Sequence, residues 1–378
     1  MSGEEQKLAV EYHLFRCVQC GKCTGGCPVS TRSALNVRHL VAQGLRLHTF
    51  QGIENREEIW ECTTCSTCED RCPKGVSCLE LILKMRSFLV EKGRIQSSMR
   101  DALESTFKQG NPWGKAKQKR ADWAKGLKVE NIEKNKAEIL YYVGCTPAYD
   151  PRVQKVAKAL VQCLHRAEVE FGILGTEEKC CGSEIRRMGE EGLFEMLVED
   201  NLNVFKKYPL RLIITTSPHC YNVLKNEYPN LNCQVQHYTQ FVARLIDEGK
   251  LSFNRSWNGE ELLVAYHDPC FLGKQNGVFE EPRKILQNIP GIKLVEFDRS
   301  KERSLCCGGG GGRIWTESKR SYERLAETRV KEAVELGVQV IATACPFCLL
   351  TLEDGVKTTG YENSLRVMDI MELVAEAL

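Results

Sequence analysis

The chain has 378 residues, 42% of them hydrophobic and 27% charged, with a formal net charge of +2. That length exceeds what one hydrophobic core organises, so two or three domains are expected, and the near-neutral balance excludes a global field for nucleic acid or anionic membrane. Twenty cysteines without an apolar leader over Met1 to His13 point to metal binding in a reducing cytoplasm, not to secreted disulfides, and no apolar run reaches the length of a bilayer.

The first element is a repeated cysteine run. C-x2-C-x2-C-x3-C-P occurs at Cys17, Cys20, Cys23, Cys27, Pro28 and again at Cys62, Cys65, Cys68, Cys72, Pro73, at a constant offset of 45 residues. In such a run three close thiolates wrap one 4Fe-4S cluster and the fourth, before the proline, reaches the neighbouring cluster. Cys17, Cys20, Cys23 and Cys72 are therefore expected at one cluster, and Cys62, Cys65, Cys68 and Cys27 at the other. Zinc is the alternative, but it favours paired C-x2-4-C arms over a run of four ending in proline.

Between the runs, Leu35, Val37, Leu40, Val41 and Leu45 lie on one face of a helix. After the second run, the stretch from Cys78 to Gly93 continues as a helix with Lys and Gly at its end. The long separation of the runs suits an all-helical ferredoxin over residues 1–107 better than a compact βαβ-type one. Residues 108–136 read as a basic linker: Lys108 to Lys128 holds seven basic residues and one acidic, with Trp113 and Trp123 interleaved. Such a segment can lie on nucleic acid. The simpler reading is a solvated linker whose tryptophans pack on the protein body.

A second duplication follows, over residues 137–250 and 251–378. Cys145, Cys180, Cys181 and Cys220 recur as Cys270, Cys306, Cys307 and Cys345 at offsets of 125 or 126 residues. Each half reads as a strand ending at its first cysteine, a helical stretch, a second strand, Cys-Cys-Gly, a long charged helix, and a third strand running to the last cysteine. Alternating strands and helices predict a duplicated α/β unit with parallel pairing, so the whole chain reads as an α+β multidomain protein. Ligands at the C-terminal ends of parallel strands would converge on one edge. Adjacent cysteines suit a cluster better than a single zinc. Gly308 to Gly312 lack the Walker ending and any G-x-G-x-x-G frame, so close backbone approach to a cluster, with amide donors toward its sulfurs, is preferred over a nucleotide cradle.

His267 to Gly273 (HDPCFLG), Cys306 to Gly310 (CCGGG) and Cys345 to Cys348 (CPFC) resemble the cysteine-rich domain of the heterodisulfide reductase family. With the dicluster ferredoxin ahead of them, the layout is similar to the D-type subunit of that family. Iron-sulfur subunits of glycolate oxidase, lactate utilisation, anaerobic glycerol-3-phosphate dehydrogenase and the sulfite-reduction membrane complex share it. The resemblance implies a noncubane 4Fe-4S cluster on Cys270, Cys306, Cys307, Cys345 and Cys348, as the catalytic centre. The first half departs from the pattern. By constant offset Val223 stands where Cys348 does, leaving Cys145, Cys180, Cys181 and Cys220 as a vestigial site, a zinc site, or a cluster short of a ligand. Cys78, Cys163 and Cys233 fill no pattern, and His267 is either a satisfied structural histidine or a group that bonds a cluster sulfur.

The expected function is an oxidoreductase subunit that receives electrons at the ferredoxin and uses the last cluster to reduce a disulfide or oxidise paired thiols. The rival is a pure electron-transfer subunit serving a flavin-linked hydroxy-acid or glycerol-3-phosphate dehydrogenase and passing electrons toward quinone. A third reading is a module that docks a sulfur-carrier protein. No flavin or nicotinamide motif is present, so a flavoprotein or a haem-bearing membrane subunit is the expected partner. The expected location is the cytoplasm or the cytoplasmic face of the membrane.

Overall fold

The computed structural model describes residues 9–47, 52–253, 261–316 and 323–378. Residues 1–8, which carry most of the leader reading, lie outside them. Before Ile139 the described residues form helices and turns, apart from one isolated bridge at Asn131, as an all-helical ferredoxin requires. The helix Val37–Leu47 buries Val37, Leu40 and Val41 beside Leu35. The helix Cys78–Glu91 adds Leu81, Ile82, Met85 and Leu89 to the same core and ends where Gly93 turns the chain at φ 68°. The basic segment straps the protein body. Trp123 is buried edge-on against Tyr141 and Trp113 packs on Trp315, while Lys115, Lys117, Lys119 and Lys125 stay exposed. The tryptophans thus pack on the protein body.

The two halves that follow each carry a small parallel sheet. β1 (Ile139–Tyr142), β2 (Leu212–Thr215) and β3 (Gln234–His237) pair in that order, and β4 (Leu262–Tyr266), β5 (Ile292–Val295), β6 (Val340–Thr343) and β7 (Arg366–Asp369) pair as β5-β4-β6-β7. Strands covered on both faces read as continuous apolar runs, and β2 and β6 are buried throughout. In the first half the expected strand before Cys180 is reduced to bridges at Gly172 and Ile173. The short helix Ile132–Asn135 takes its place at the sheet edge: Ile132 N–H donates to Ile173 O at 2.9 Å, and a Cβ on Gly172 would stand 2.7 Å from Ile132. β3 and β7 go beyond the strands that the sequence pattern predicts. Their short, half-polar segments carry little pattern and are held by backbone pairing to β2 and β6.

The strand register corrects one expectation. Ile139 pairs with Leu212, and its counterpart Val264 pairs with Val340. Beyond these strands Pro218 and Pro346 open equivalent helices, Pro218–Asn226 and Pro346–Thr359, capped by Ser217 and Cys345. Cys220 is thus the counterpart of Cys348, not of Cys345, and Val223 is not the vacant position. The missing thiol is at Ser217. A fixed offset misplaces it because the segments between Cys-Cys-Gly and the strand differ in length.

The halves share a core in which the Tyr238 hydroxyl donates to Asp369 Oδ1 at 2.7 Å, and Arg152 pairs with Glu353 and Glu372. Between β4 and β6 the order in which strands are added to the second sheet reverses, and Cys270 and Cys345 follow those two strands. Such a switch point opens a crevice at the C-terminal strand ends.

Candidate metal centres

The two ferredoxin runs repeat in conformation as well as spelling. Gln19 and Gly21 take left-handed φ of 54° and 79°, and Thr64 and Ser66 take 54° and 60°. These turns curl the backbone around the thiols, so that the N–H groups of Gln19 and Thr64 donate to Cys17 Sγ and Cys62 Sγ, each at 3.4 Å. Amides aimed at sulfur offset the charge that thiolates bring to one place.

Cys72 lines one cavity with Cys17, Cys20 and Cys23, while the charge of Cys27 acts on Cys62 and that of Cys65 acts on Cys27. In space, therefore, Cys72 stands with the first run and Cys27 with the second. Cys62, Cys65 and Cys68 are buried and Cys20 is exposed, so one set faces the protein interior and the other the surface. Cys78, unassigned by any pattern, stands close enough to both Cys23 and Cys68 to act on their ionisation.

In the second half, Cys270 and Cys306, Cys306 and Cys307, Cys307 and Cys348, and Cys348 and Cys345 stand close enough to act on one another's ionisation. All five are buried, and the N–H groups of Gly308 and Gly309 donate to Cys306 Sγ at 3.4 Å and Cys307 Sγ at 3.5 Å. The glycine run has a second purpose. A Cβ on Gly310 would lie 2.8 Å from Thr63 O, and one on Gly311 2.6 Å from Cys62 O. Backbone here packs on the ferredoxin loop itself, and Cys306 stands close enough to Cys65 across that junction to raise its thiol.

Two histidines flank these thiols. His267 is 1% exposed, neither ring nitrogen has a hydrogen-bond partner, and its ligand atom lies within 4.8 Å of those of Cys307 and Cys348. Burial and Arg329 push it down to about 3, so it is a neutral donor or ligand beside the sulfurs. His219 comes from the first half. Burial disfavours its cation, but Glu184 and Cys345 outweigh that and hold it near about 10. Burial likewise raises Cys345, yet Cys348 and His219 bring that thiol down to about 5. The site therefore favours thiolate at Cys345.

The first half gathers its own thiols: Cys145 and Cys180, Cys180 and Cys181, and Cys181 and Cys220 act on one another's ionisation. Arg120, from the basic strap, is 2% exposed, pairs with Glu178 at 2.6 Å and donates to Cys145 Sγ at 3.5 and 3.6 Å. It is the one arginine among the lysines between Lys108 and Lys128, which is the signal the sequence offers for it. Four converging thiols with a buried cation fit a metal-bearing site better than a vestige.

The junction is held by Arg86, wholly buried, which donates to the carbonyls of Ile59, Cys62, Arg187 and Gly311. Its guanidinium joins the ferredoxin to both later halves and brings positive charge to Cys62. Beside the second-half thiols, a cavity of about 350 Å³ reaches Cys307 and is lined by Arg32, Thr63, Trp113, Arg313 and Leu325 among others.

Residues 13–76 match the 4Fe-4S dicluster domain, and 139–225 and 264–353 each match the cysteine-rich (CCG) domain. Over 97% of its length the chain is 33% identical to the D subunit of the dihydromethanophenazine:CoB–CoM heterodisulfide reductase of Methanosarcina barkeri, covering 94% of that protein. It is 34% identical to the probable iron-sulfur-binding oxidoreductase FadF of Bacillus subtilis, of which it spans 60%. It is 33% identical to the EtfAB:quinone oxidoreductase of Syntrophomonas wolfei, of which it spans 58%. Among the described residues no helix is long and apolar enough to cross a membrane. A helical dicluster ferredoxin fused to two Cys-Cys-Gly units, matched nearly end to end by a reductase subunit of the same layout, makes this chain a member of the heterodisulfide reductase D-like family of iron-sulfur oxidoreductases.

Proposed function

We propose that the chain is the iron-sulfur subunit of a heterodisulfide-reductase-like complex and reduces a disulfide, or oxidises paired thiols, at the second Cys-Cys-Gly site. In this reading Cys17, Cys20, Cys23 and Cys72 hold one 4Fe-4S cluster and Cys62, Cys65, Cys68 and Cys27 the other. Cys270, Cys306, Cys307, Cys345 and Cys348 hold a noncubane 4Fe-4S cluster. When bound, these groups supply a one-electron relay and a terminal iron site that can take a substrate sulfur. The observation that carries the reading is the cavity at Cys307, which a sealed relay site would not need.

The chain's own residues then have definite tasks. Gly308 to Gly312 bring the thiols of the second half against the Cys62 loop, and Arg86 excludes water from that junction by filling it. Trp113 and Leu325 give the cavity apolar wall, and Arg32 and Arg313 line it with cationic groups. Cleaving one S–S bond takes two electrons and two protons and releases two thiols. The electrons come from a partner flavoprotein or haem-bearing subunit, docked from the cytoplasmic side, and the protons from solvent through the cavity.

A second reading is supported by the relative whose name is EtfAB:quinone oxidoreductase: electron transfer between a flavoprotein and quinone without thiol chemistry. The two are separated by adding candidate thiols to anaerobically purified protein under oxidising conditions. Catalysis at the second half requires a thiol-dependent paramagnetic signal that Cys307→Ala abolishes and Cys181→Ala spares, with ferredoxin signals unchanged. Absence of any such signal in protein with full iron content would leave the relay reading standing alone.

A further inference from the structure

The seam between the ferredoxin and the second half holds a cavity that the chemistry at Cys307 leaves unused. It measures about 180 Å³, with Cys27 in its wall, and five basic side chains line it: Arg32 and Arg71 from the ferredoxin, and Lys274, Arg299 and Arg303 from the second half. Among the described residues no carboxylate lines it, and of the five cations Arg299 alone is ion-paired, to Glu332. Asp70 feels the charge of Lys274 but stands outside the wall. Lys274 is held by Thr67 Oγ1 and Ser304 O, each at 2.7 Å, and Arg32 by Thr328 Oγ1 at 2.8 Å. The exposed side chains of Arg71 and Arg303 have no hydrogen-bond or ion-pair partner among the described residues. The placement of Arg71 is built in. A Cβ on Gly26 would fall 2.1 Å from Arg71 Cδ and 2.8 Å from its Nη1, at an ordinary φ of −94°. Gly26 is therefore a glycine for space and not for backbone conformation, and it lets the Arg71 guanidinium lie across the loop beside Cys27.

We propose that this cavity binds a small phosphate-bearing anion, and that its occupancy lowers the reduction potential of the centre that includes Cys27. Cations gathered without counter-charges repel one another, and an anion that joins them turns the repulsion into attraction. Phosphate suits the wall better than carboxylate, because its three acceptor oxygens diverge toward cations on different sides, where a carboxylate offers two in one plane. The cavity is smaller than the roughly 300–1,000 Å³ that drug-sized ligands occupy, so the ligand is a small one. Reduction adds negative charge beside the anion, so an occupied cavity disfavours it, and by linkage the reduced centre holds the anion less tightly. The claim on the potential rests on the reading that Cys27 is a ligand of the inner ferredoxin centre; the claim on binding does not.

The probe is inorganic pyrophosphate, titrated calorimetrically at low salt into the full chain purified anaerobically, with one site per chain expected. Arg71→Gln with Arg303→Gln removes the two unpartnered cations and should weaken binding about tenfold or more, the worth of a charge-assisted hydrogen bond. Lys115→Gln with Lys117→Gln removes the same charge from the exposed strap and should leave binding unchanged. No saturable binding at millimolar pyrophosphate, or equal binding in the two double variants, would overturn the site. Citrate binding more tightly than pyrophosphate would overturn the phosphate assignment. Binding of a glutamate-rich peptide in place of pyrophosphate would give the cavity to a partner protein and overturn it too. A redox titration followed by electron paramagnetic resonance reads the second claim: pyrophosphate should shift the inner ferredoxin centre to lower potential and move the outer one less. An unmoved inner centre in protein that binds pyrophosphate overturns the coupling. A chain that binds pyrophosphate but shows no inner ferredoxin signal is a different failure, since it removes the cluster reading of Cys27 and leaves the anion site standing.

Discussion

Cys65 of the ferredoxin and Cys306 of the second Cys-Cys-Gly motif stand close enough across the junction between the two folds for each to act on the other's ionisation. No linker or helix separates the two thiol groups. Lys274 ties the same seam by donating to Thr67 Oγ1 and Ser304 O, each at 2.7 Å, and Gln275 donates to Thr64 O at 3.0 Å. The buried ferredoxin set and the second-half set therefore form one continuous thiol-lined interior, whereas the Cys17 set faces outward.

Ligand exchange between the two runs is directly testable. Cys27→Ser should remove the centre built on Cys62, Cys65 and Cys68 and leave the one on Cys17, Cys20 and Cys23, while Cys72→Ser should do the reverse. Iron per chain should fall by about four in each case, a full cluster. Loss of the Cys17 centre in Cys27→Ser would contradict the crossing.

Arg86 should be among the most costly positions outside the cysteines. Arg86→Met leaves the carbonyls of Ile59, Cys62, Arg187 and Gly311 without their buried donor. We expect a loss of about 3–5 kcal/mol in anaerobic denaturant unfolding, and iron lost first from the inner ferredoxin site. Arg86→Lys should rescue little, because one ammonium cannot replace the planar fork. Wild-type stability in Arg86→Met would refute the role.

The glycine run makes a sharper case. Gly311→Ala places a Cβ 2.6 Å from Cys62 O at φ 68°, and it should prise the ferredoxin loop from the Cys306 motif. Gly337→Ala is the control, with nearly the same φ of 69° and nothing within 4 Å. The control should cost about 1 kcal/mol, the strain of a left-handed alanine. Gly311→Ala should cost more and slow reduction of the second-half centre by the ferredoxin; equal effects would exclude backbone packing as the reason for glycine there.

Burial pushes the Asp369 carboxyl up to about 8. Its Oδ2 has no partner, while Oδ1 accepts from the Tyr238 hydroxyl and the Met371 N–H. An unfolded aspartate titrates at about 3.9, so the folded state keeps the proton longer; the contribution is whole below about pH 4 and is lost as pH rises toward about 8, at up to about 1.4 kcal/mol per pH unit. Asp369→Asn keeps Oδ1 and carries no charge. Its stability relative to the wild type should therefore rise steadily between pH 5 and pH 8 in anaerobic unfolding. A pH-independent difference would contradict the assignment.

The sequence by itself determined what is local. The ligand loops are short and their turns repeat with the cysteines, so the ferredoxin runs, the helices around them and the strands leading into the thiol groups, apart from the one expected before Cys180, were legible. Alternation of strands and helices was enough to predict parallel pairing and ligands at the C-terminal strand ends. Tertiary structure decided the rest. Whether Ser217 or Val223 is the vacant position depends on strand register, which a constant offset cannot follow when connecting segments differ in length. Arg120 at Cys145, Arg86 at Gly311 and Lys274 at Thr67 join residues far apart in the chain, and nothing in their neighbours' spelling specifies the partner. Those contacts follow from how two sheets and a helical ferredoxin pack around a backbone of glycines thin enough to let them meet.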